Sequence, residues 1–93
     1  MHYQEISQAA LSAILQQPKT LLLDVRETVE FLDFNIGGLN IPPHEIIEKI
    51  AKLADYKQII VACSNGTRSS IVARLLAKKI PSVQIFHLEE GIF

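Results

Sequence analysis

A single sulfur atom carries the most reactive chemistry in this sequence. Cys63 is the only cysteine among 93 residues. It opens the run Cys63-Ser64-Asn65-Gly66-Thr67-Arg68-Ser69. A thiolate is a strong nucleophile, and its surroundings decide how much of the thiol ionises. Four features of this run favour ionisation. The apolar residues before Cys63 have strand length, and a helix begins near Thr67 to Ser70, so the sulfur faces a helix N-terminus. Free N–H groups and the dipole there favour negative charge. Gly66 can turn successive N–H groups inward as an anion nest. Arg68 offers a planar guanidinium that can fix an oxyanion at the loop rim. Ser64, Asn65, Thr67 and Ser69 are small and polar and leave the pocket open, although Thr67 or Ser69 would equally serve as helix caps.

The plain alternative is a small core residue at a strand end, since free cysteine is among the most buried residue types. A core cysteine has no need of glycine three positions later and arginine five positions later. That pattern favours the nucleophile. One cysteine also excludes an internal disulfide and a reductase that uses two cysteines of one chain. Structural zinc needs several Cys or His ligands, and His2, His44 and His87 are scattered without ligand spacing.

Strands and helices must position this loop. Leu21–Val25, Ile59–Cys63 and Val83–Leu88 are short, nearly continuous apolar runs, with a weaker one at Leu39–Ile41. Such runs suit strands covered on both faces. Between them lie amphipathic stretches. Ser7 caps a helix with Ala10, Ala13 and Ile14 on one face. A short helix over Val29–Phe34 follows Glu27. Ile46, Ile47, Ile50, Leu53 and Ala54 repeat at helical spacing, as do Ile71, Val72, Leu75 and Leu76. Lys78 and Lys79 suit a helix's last turn, and Pro81 lies just beyond it. Alternating strands and helices predict an α/β fold with a central parallel sheet of four to five strands and helices on both faces. Ligands in such sheets bind beyond the carboxyl ends of the strands. That rule selects the residues after Val25 and after Ala62. Asp24 and Arg26 are thereby expected at the rim of the same pocket.

Composition bounds the rest. The length allows one domain over residues 1–93, and 48% hydrophobic residues suffice for a core. The formal net charge of −1 leaves no electrostatic footprint for nucleic acid or an anionic membrane. No apolar run approaches the roughly 20 residues that span a bilayer. The polar start Met1-His2-Tyr3-Gln4-Glu5 does not read as a signal peptide. A soluble cytoplasmic protein is the expectation.

The loop Cys63–Ser69 closely resembles the active-site loop of rhodanese domains. The resemblance extends over most of the chain. Leu23-Asp24-Val25-Arg26-Glu27 with Glu30-Phe31 is similar to that family's first block. Ile36-Gly37-Gly38-Leu39-Asn40-Ile41-Pro42 is similar to its second, and Leu88-Glu89-Glu90-Gly91-Ile92 to its closing motif. The departures lie outside the loop. The second block lacks the usual His and Pro-Gly-Ala, and the closing motif has one glycine and no Trp. The step from Cys63 to Arg68 gives the short loop of the sulfurtransferases. Cell-cycle phosphatases of related fold have a loop one residue longer, which makes a wider cradle that fits phosphate.

The resemblance implies a rhodanese-like three-layer fold and a two-step sulfur transfer. The Cys63 thiolate takes the outer sulfur of a small anionic donor, thiosulfate or a persulfide. It then passes that sulfur to cyanide, a thiol or a protein acceptor. The N–H groups from Ser64 to Ser69 would hold the persulfide anion, and Arg68 would bind the donor, with a surface pair to a carboxylate as its alternative. No metal or organic cofactor is needed. A persulfide carrier serving a dedicated partner and a non-catalytic binding module are the competing classes. Arg26 is implied to shape the pocket, with an ion pair to Asp24, Glu27 or Glu30 as its alternative. Asp24 reads as an acceptor for backbone or arginine donors. His87, near a strand end, reads as a hydrogen-bonded histidine rather than a site group. His44 reads as the start of a helix. Gly37 and Gly38 read as turn residues.

Overall fold

The computed structural model describes residues 2–93. Five parallel strands form one sheet: β1 (Gln4–Ile6), β2 (Thr20–Asp24), β3 (Leu39–Asn40), β4 (Gln58–Ala62) and β5 (Gln84–Leu88), in the order β1-β5-β4-β2-β3. Helices α1 (Gln8–Leu15), α2 (Thr28–Asp33), α3 (Ile50–Leu53) and α4 (Thr67–Lys79) connect them. The expected α/β architecture with a parallel sheet is therefore what the chain adopts.

Side chains alternate across the sheet with a period of two. Leu21, Leu23, Val25, Ile59, Val61, Cys63 and Ile85 face one side, where Val72, Ala73 and Leu76 of α4 cover them with Ile46 and Leu53. Leu22, Ile60, Ala62, Phe86 and Leu88 face the other side, against Ala10, Leu11, Ile14 and Leu15 of α1. Both faces of β2 and β4 are buried, so neither strand shows an apolar–polar alternation in sequence. Each large aliphatic side chain buried in this way contributes about 1.5–3 kcal/mol.

Three local expectations are corrected. The polar start of the chain holds an edge strand: Gln4, Glu5 and Ile6 pair with Phe86, His87 and Leu88. Only Ile6 of that strand is buried, so its sequence lacks an apolar run. The stretch from Ile46 to Ala54 is not one helix. It runs as 3₁₀ turns over Pro43–Glu45 and Ile47–Lys49 before α3. Three β-branched isoleucines at 46, 47 and 50 weaken a continuous helix there. Ile46 and Leu53 are fully buried, while Ile47 points outward. In α4, Ile71 is also on the exposed face, 64% accessible.

β4 lies at the centre of the sheet, between β5 and β2. Its carboxyl end delivers Cys63 to the middle of the ligand-binding edge. Among the described residues no helix is long and apolar enough to cross a membrane.

Candidate active site

Cys63 leaves β4 and the chain turns at once into α4. Gly66 is the N-cap of that helix, with φ +91°. That left-handed conformation favours glycine. A Cβ there would also stand 2.5 Å from the carbonyl oxygen of Glu89. The turn directs two backbone donors at the sulfur. The N–H of Gly66 reaches Cys63 Sγ at 3.2 Å and that of Ser69 at 3.3 Å. Burial pushes the thiol pKa up. Hydrogen bonds from the Ser69 side chain and from the backbone of Ser69, Asn65 and Gly66 outweigh it, and the net shift is downward. Cys63 itself has no exposed surface. The thiolate is thus favoured inside a closed loop.

The other loop residues divide the work. The Asn65 side chain accepts the Thr67 N–H at 3.1 Å, so Asn65 closes the turn. The side chains expected to cap the helix do not: no side-chain cap bond is present at its N-cap. Ser70 Oγ instead donates to the Thr67 carbonyl. Arg68 Nη2 lies 3.4 Å from Ser64 Oγ.

Arg68 is engaged more firmly elsewhere. Its two terminal nitrogens donate to Glu30 Oε1 and Oε2 at 2.7 and 3.0 Å. This bidentate pair on α2 is the strong form of an arginine–carboxylate contact. The Arg68 hydrogen bond, with a smaller one from the Glu27 backbone, brings the Glu30 carboxyl down to about 2. The same contact raises Arg68. The guanidinium expected to await an anionic donor is therefore occupied by a carboxylate. Of the two roles weighed for Arg68, the pair with a carboxylate is the one present.

Arg26 and Asp24 do not line an open rim. Both side chains are 2% exposed and form a buried ion pair, Arg26 Nη2 to Asp24 Oδ2 at 2.9 Å. Arg26 Nε also donates to both oxygens of Asp24. Further Arg26 bonds go to the carbonyls of Glu30 and Phe34. The Phe93 ring covers the guanidinium at 5.9 Å. Of the two roles considered for Arg26, the ion pair with Asp24 is the one present. Its effect on the site is indirect, because it fixes α2 and thereby sets Glu30 opposite Arg68.

The closing motif supports the loop from beneath. Ile92 N–H donates to the Cys63 carbonyl at 3.0 Å. A Cβ on Gly91 would stand 2.1 Å from the Ser64 carbonyl oxygen, so that glycine permits the close approach. His87, one strand from Cys63, is 3% exposed and hydrogen-bonded on both ring nitrogens, to Ser69 and to Glu5. His44 lies in the 3₁₀ turn at Pro43–Glu45, with its side chain 68% exposed. Nothing in the sequence points to Glu5, because its strand buries only Ile6 and has no apolar run.

Known proteins share this fold. The profile of the rhodanese-like domain family matches residues 7–93. A rhodanese-related protein from Thermoplasma volcanium has a similar structure, with 31% identity and a TM-score of 0.79 over 96% of this chain and 86% of that one. A rhodanese-like domain protein from Staphylococcus aureus shares the fold at 20% identity and a TM-score of 0.78, covering 95% and 86% of the two chains. A Bacillus anthracis protein described as CoADR-RHD superposes with a TM-score of 0.82 at 25% identity, over 96% of this chain and 16% of that one. Curated proteins offer no match to the sequence. With the family profile covering nearly the whole chain and the cysteine loop folded as described, this protein belongs to the rhodanese-like domain family.

Proposed function

We propose that the protein is a sulfurtransferase that carries sulfane sulfur as a Cys63 persulfide. Membership of the rhodanese-like family supports sulfurtransferase-type or related activity in general. The observation that carries the specific reading is the pair of backbone donors, Gly66 and Ser69, aimed at a thiol held below its ordinary pKa. The Cys63 thiolate attacks the outer sulfur of thiosulfate. A new S–S bond forms, the old one breaks, and sulfite leaves with its electron pair. Cyanide or a thiolate then attacks the terminal sulfur of Cys63-S-S(−). The electron pair of the broken bond returns to Cys63, restoring the thiolate. The same N–H donors stabilise charge in both steps. A free thiol of this kind has to stay reduced, which suits the cytoplasm.

Release of thiocyanate from thiosulfate and cyanide tests the reading. Turnover by the folded protein supports it. Absence of thiocyanate, with hydrolysis of an aryl phosphate in its place, would replace it with a phosphatase.

One observation favours a variant of this function. Arg68 is paired with Glu30, and Cys63 is enclosed. Both features oppose a free dianionic donor and favour a protein partner that opens the loop, as a sulfur carrier requires. Glu30→Gln weakens the pair and frees the guanidinium. It is expected to lower the KM for thiosulfate about threefold, the scale of a partly exposed ion pair. Acid does not mimic this variant near neutral pH. The Glu30 carboxyl titrates at about 2, below its ordinary value, so the pair's stabilisation is complete above the ordinary carboxylate range and is lost only as pH falls towards about 2. A KM profile flat across the neutral range, with the threefold offset in the variant, checks the assignment.

A further inference from the structure

A chain of polar groups runs from the buried Ser69 beside the nucleophile to the half-exposed Glu5 on the edge strand. Glu5 Oε1 lies 2.6 Å from His87 Nδ1, and His87 Nε2 lies 2.7 Å from Ser69 Oγ. Ser69 meets the Cys63 sulfur through its backbone N–H at 3.3 Å, and its side chain helps to lower the Cys63 pKa. Ser69 has no exposed surface and His87 is 3% exposed, so water does not compete for the bond between them. The parallel pairing of β1 with β5 puts Glu5 opposite His87, and the first turn of α4 brings Ser69 over it.

The donors and acceptors can be counted. A Glu5 carboxylate only accepts, so His87 Nδ1 carries a hydrogen. When the imidazole is neutral, Nε2 is an acceptor and Ser69 must give its one hydroxyl proton to it. That proton is then withheld from Cys63. When the imidazole is protonated, Nε2–H donates to Ser69 Oγ, and the hydroxyl proton is free to bond the sulfur. The two states of His87 thus set two orientations of Ser69.

From this geometry we infer that His87 is a positioning residue that takes the Cys63 thiol proton through Ser69, with Glu5 holding the resulting imidazolium. In that step the S–H bond breaks and the sulfur proton passes to Ser69 Oγ. The original hydroxyl proton passes to His87 Nε2. No proton leaves the array. The product is a thiolate that accepts the Ser69 hydroxyl as well as the Gly66 and Ser69 N–H groups. The same hydroxyl bonds the inner sulfur once the persulfide forms. This rests on Cys63 being the nucleophile of the proposed transfer.

The groups around His87 come from several elements. Glu5 comes from β1 and Ser69 from α4. The Tyr3 ring meets the imidazole edge-on at 5.6 Å. Gly66, at the N-cap of α4, closes the side towards Cys63, since a Cβ there would lie 3.6 Å from His87 Cε1. Glu5 is the charged side chain bonded to the ring.

The test is the pH titration of thiolate ultraviolet absorbance, with Cys63→Ser as the blank. It reads ionisation in the closed loop and does not depend on whether sulfur is transferred. A failure of the sulfurtransferase reading therefore stays distinguishable from a failure of the relay. Glu5→Gln keeps the size and the acceptor oxygen but removes the charge, at a half-exposed position. Its thiolate midpoint is expected to rise by about half a pH unit, and those of His87→Gln and Ser69→Ala by about one unit. Thermal unfolding of each variant verifies that the titrated protein is folded. A merely structural chain of hydrogen bonds predicts no shift in Glu5→Gln. Titrations of folded Glu5→Gln and Ser69→Ala that superimpose on the wild type would overturn the relay.

Discussion

Cys63→Ser is expected to lose sulfur transfer by about a thousandfold or more while keeping its fold, because the step has no second nucleophile to fall back on. Serine is close to cysteine in size and can accept the same N–H bonds from Gly66 and Ser69. Its hydroxyl does not ionise at neutral pH and cannot hold sulfane sulfur. The sequence contains no other cysteine to substitute. The comparison to make is initial rate against thermal midpoint. A large fall in rate with a small change in midpoint separates chemistry from folding.

Asp24→Ala is expected to act in the opposite way, on stability first. It would leave the Arg26 guanidinium buried without its carboxylate, at a cost of about 3–5 kcal/mol. For a domain of this size that corresponds to a Tm lower by roughly 15 °C or more. The damage should then spread along a defined route. Asp24 holds Arg26, Arg26 holds the carbonyls of Glu30 and Phe34, and α2 presents Glu30 to Arg68. Replacing both residues, as Asp24→Leu with Arg26→Met, should cost clearly less than Asp24→Ala alone, because no unpaired charge is then buried. Denaturant unfolding of the single and double variants measures this difference.

The cysteine loop was legible because its chemistry is local. Strand, glycine, arginine and helix start all fall within a few residues, and their spacing alone implies a sulfur facing backbone donors. The buried strands β2, β4 and β5 were legible for a similar reason, since both faces are covered and the apolar runs are unbroken. What escaped depends on pairing across the sheet. Gln4–Ile6 is a strand because β5 accepts it, although only Ile6 contributes apolar burial. Glu5 and His87 are 82 positions apart and meet only through that pairing. The choice between a donor-binding and an ion-paired Arg68 likewise turns on where α2 places Glu30, and sequence spacing carries no such information. The helical spacing from Ile46 to Ala54 is real as a burial pattern, yet tertiary packing of Ile46 and Leu53 is met by 3₁₀ turns and one short helix.

The most direct measurement is the intact mass of the protein after incubation with thiosulfate, alongside Cys63→Ser. The account predicts that the wild type gains the mass of one sulfur atom, that cyanide removes it, and that the variant gains nothing. A folded wild-type protein that gains no sulfur from thiosulfate or from a persulfide donor would contradict it.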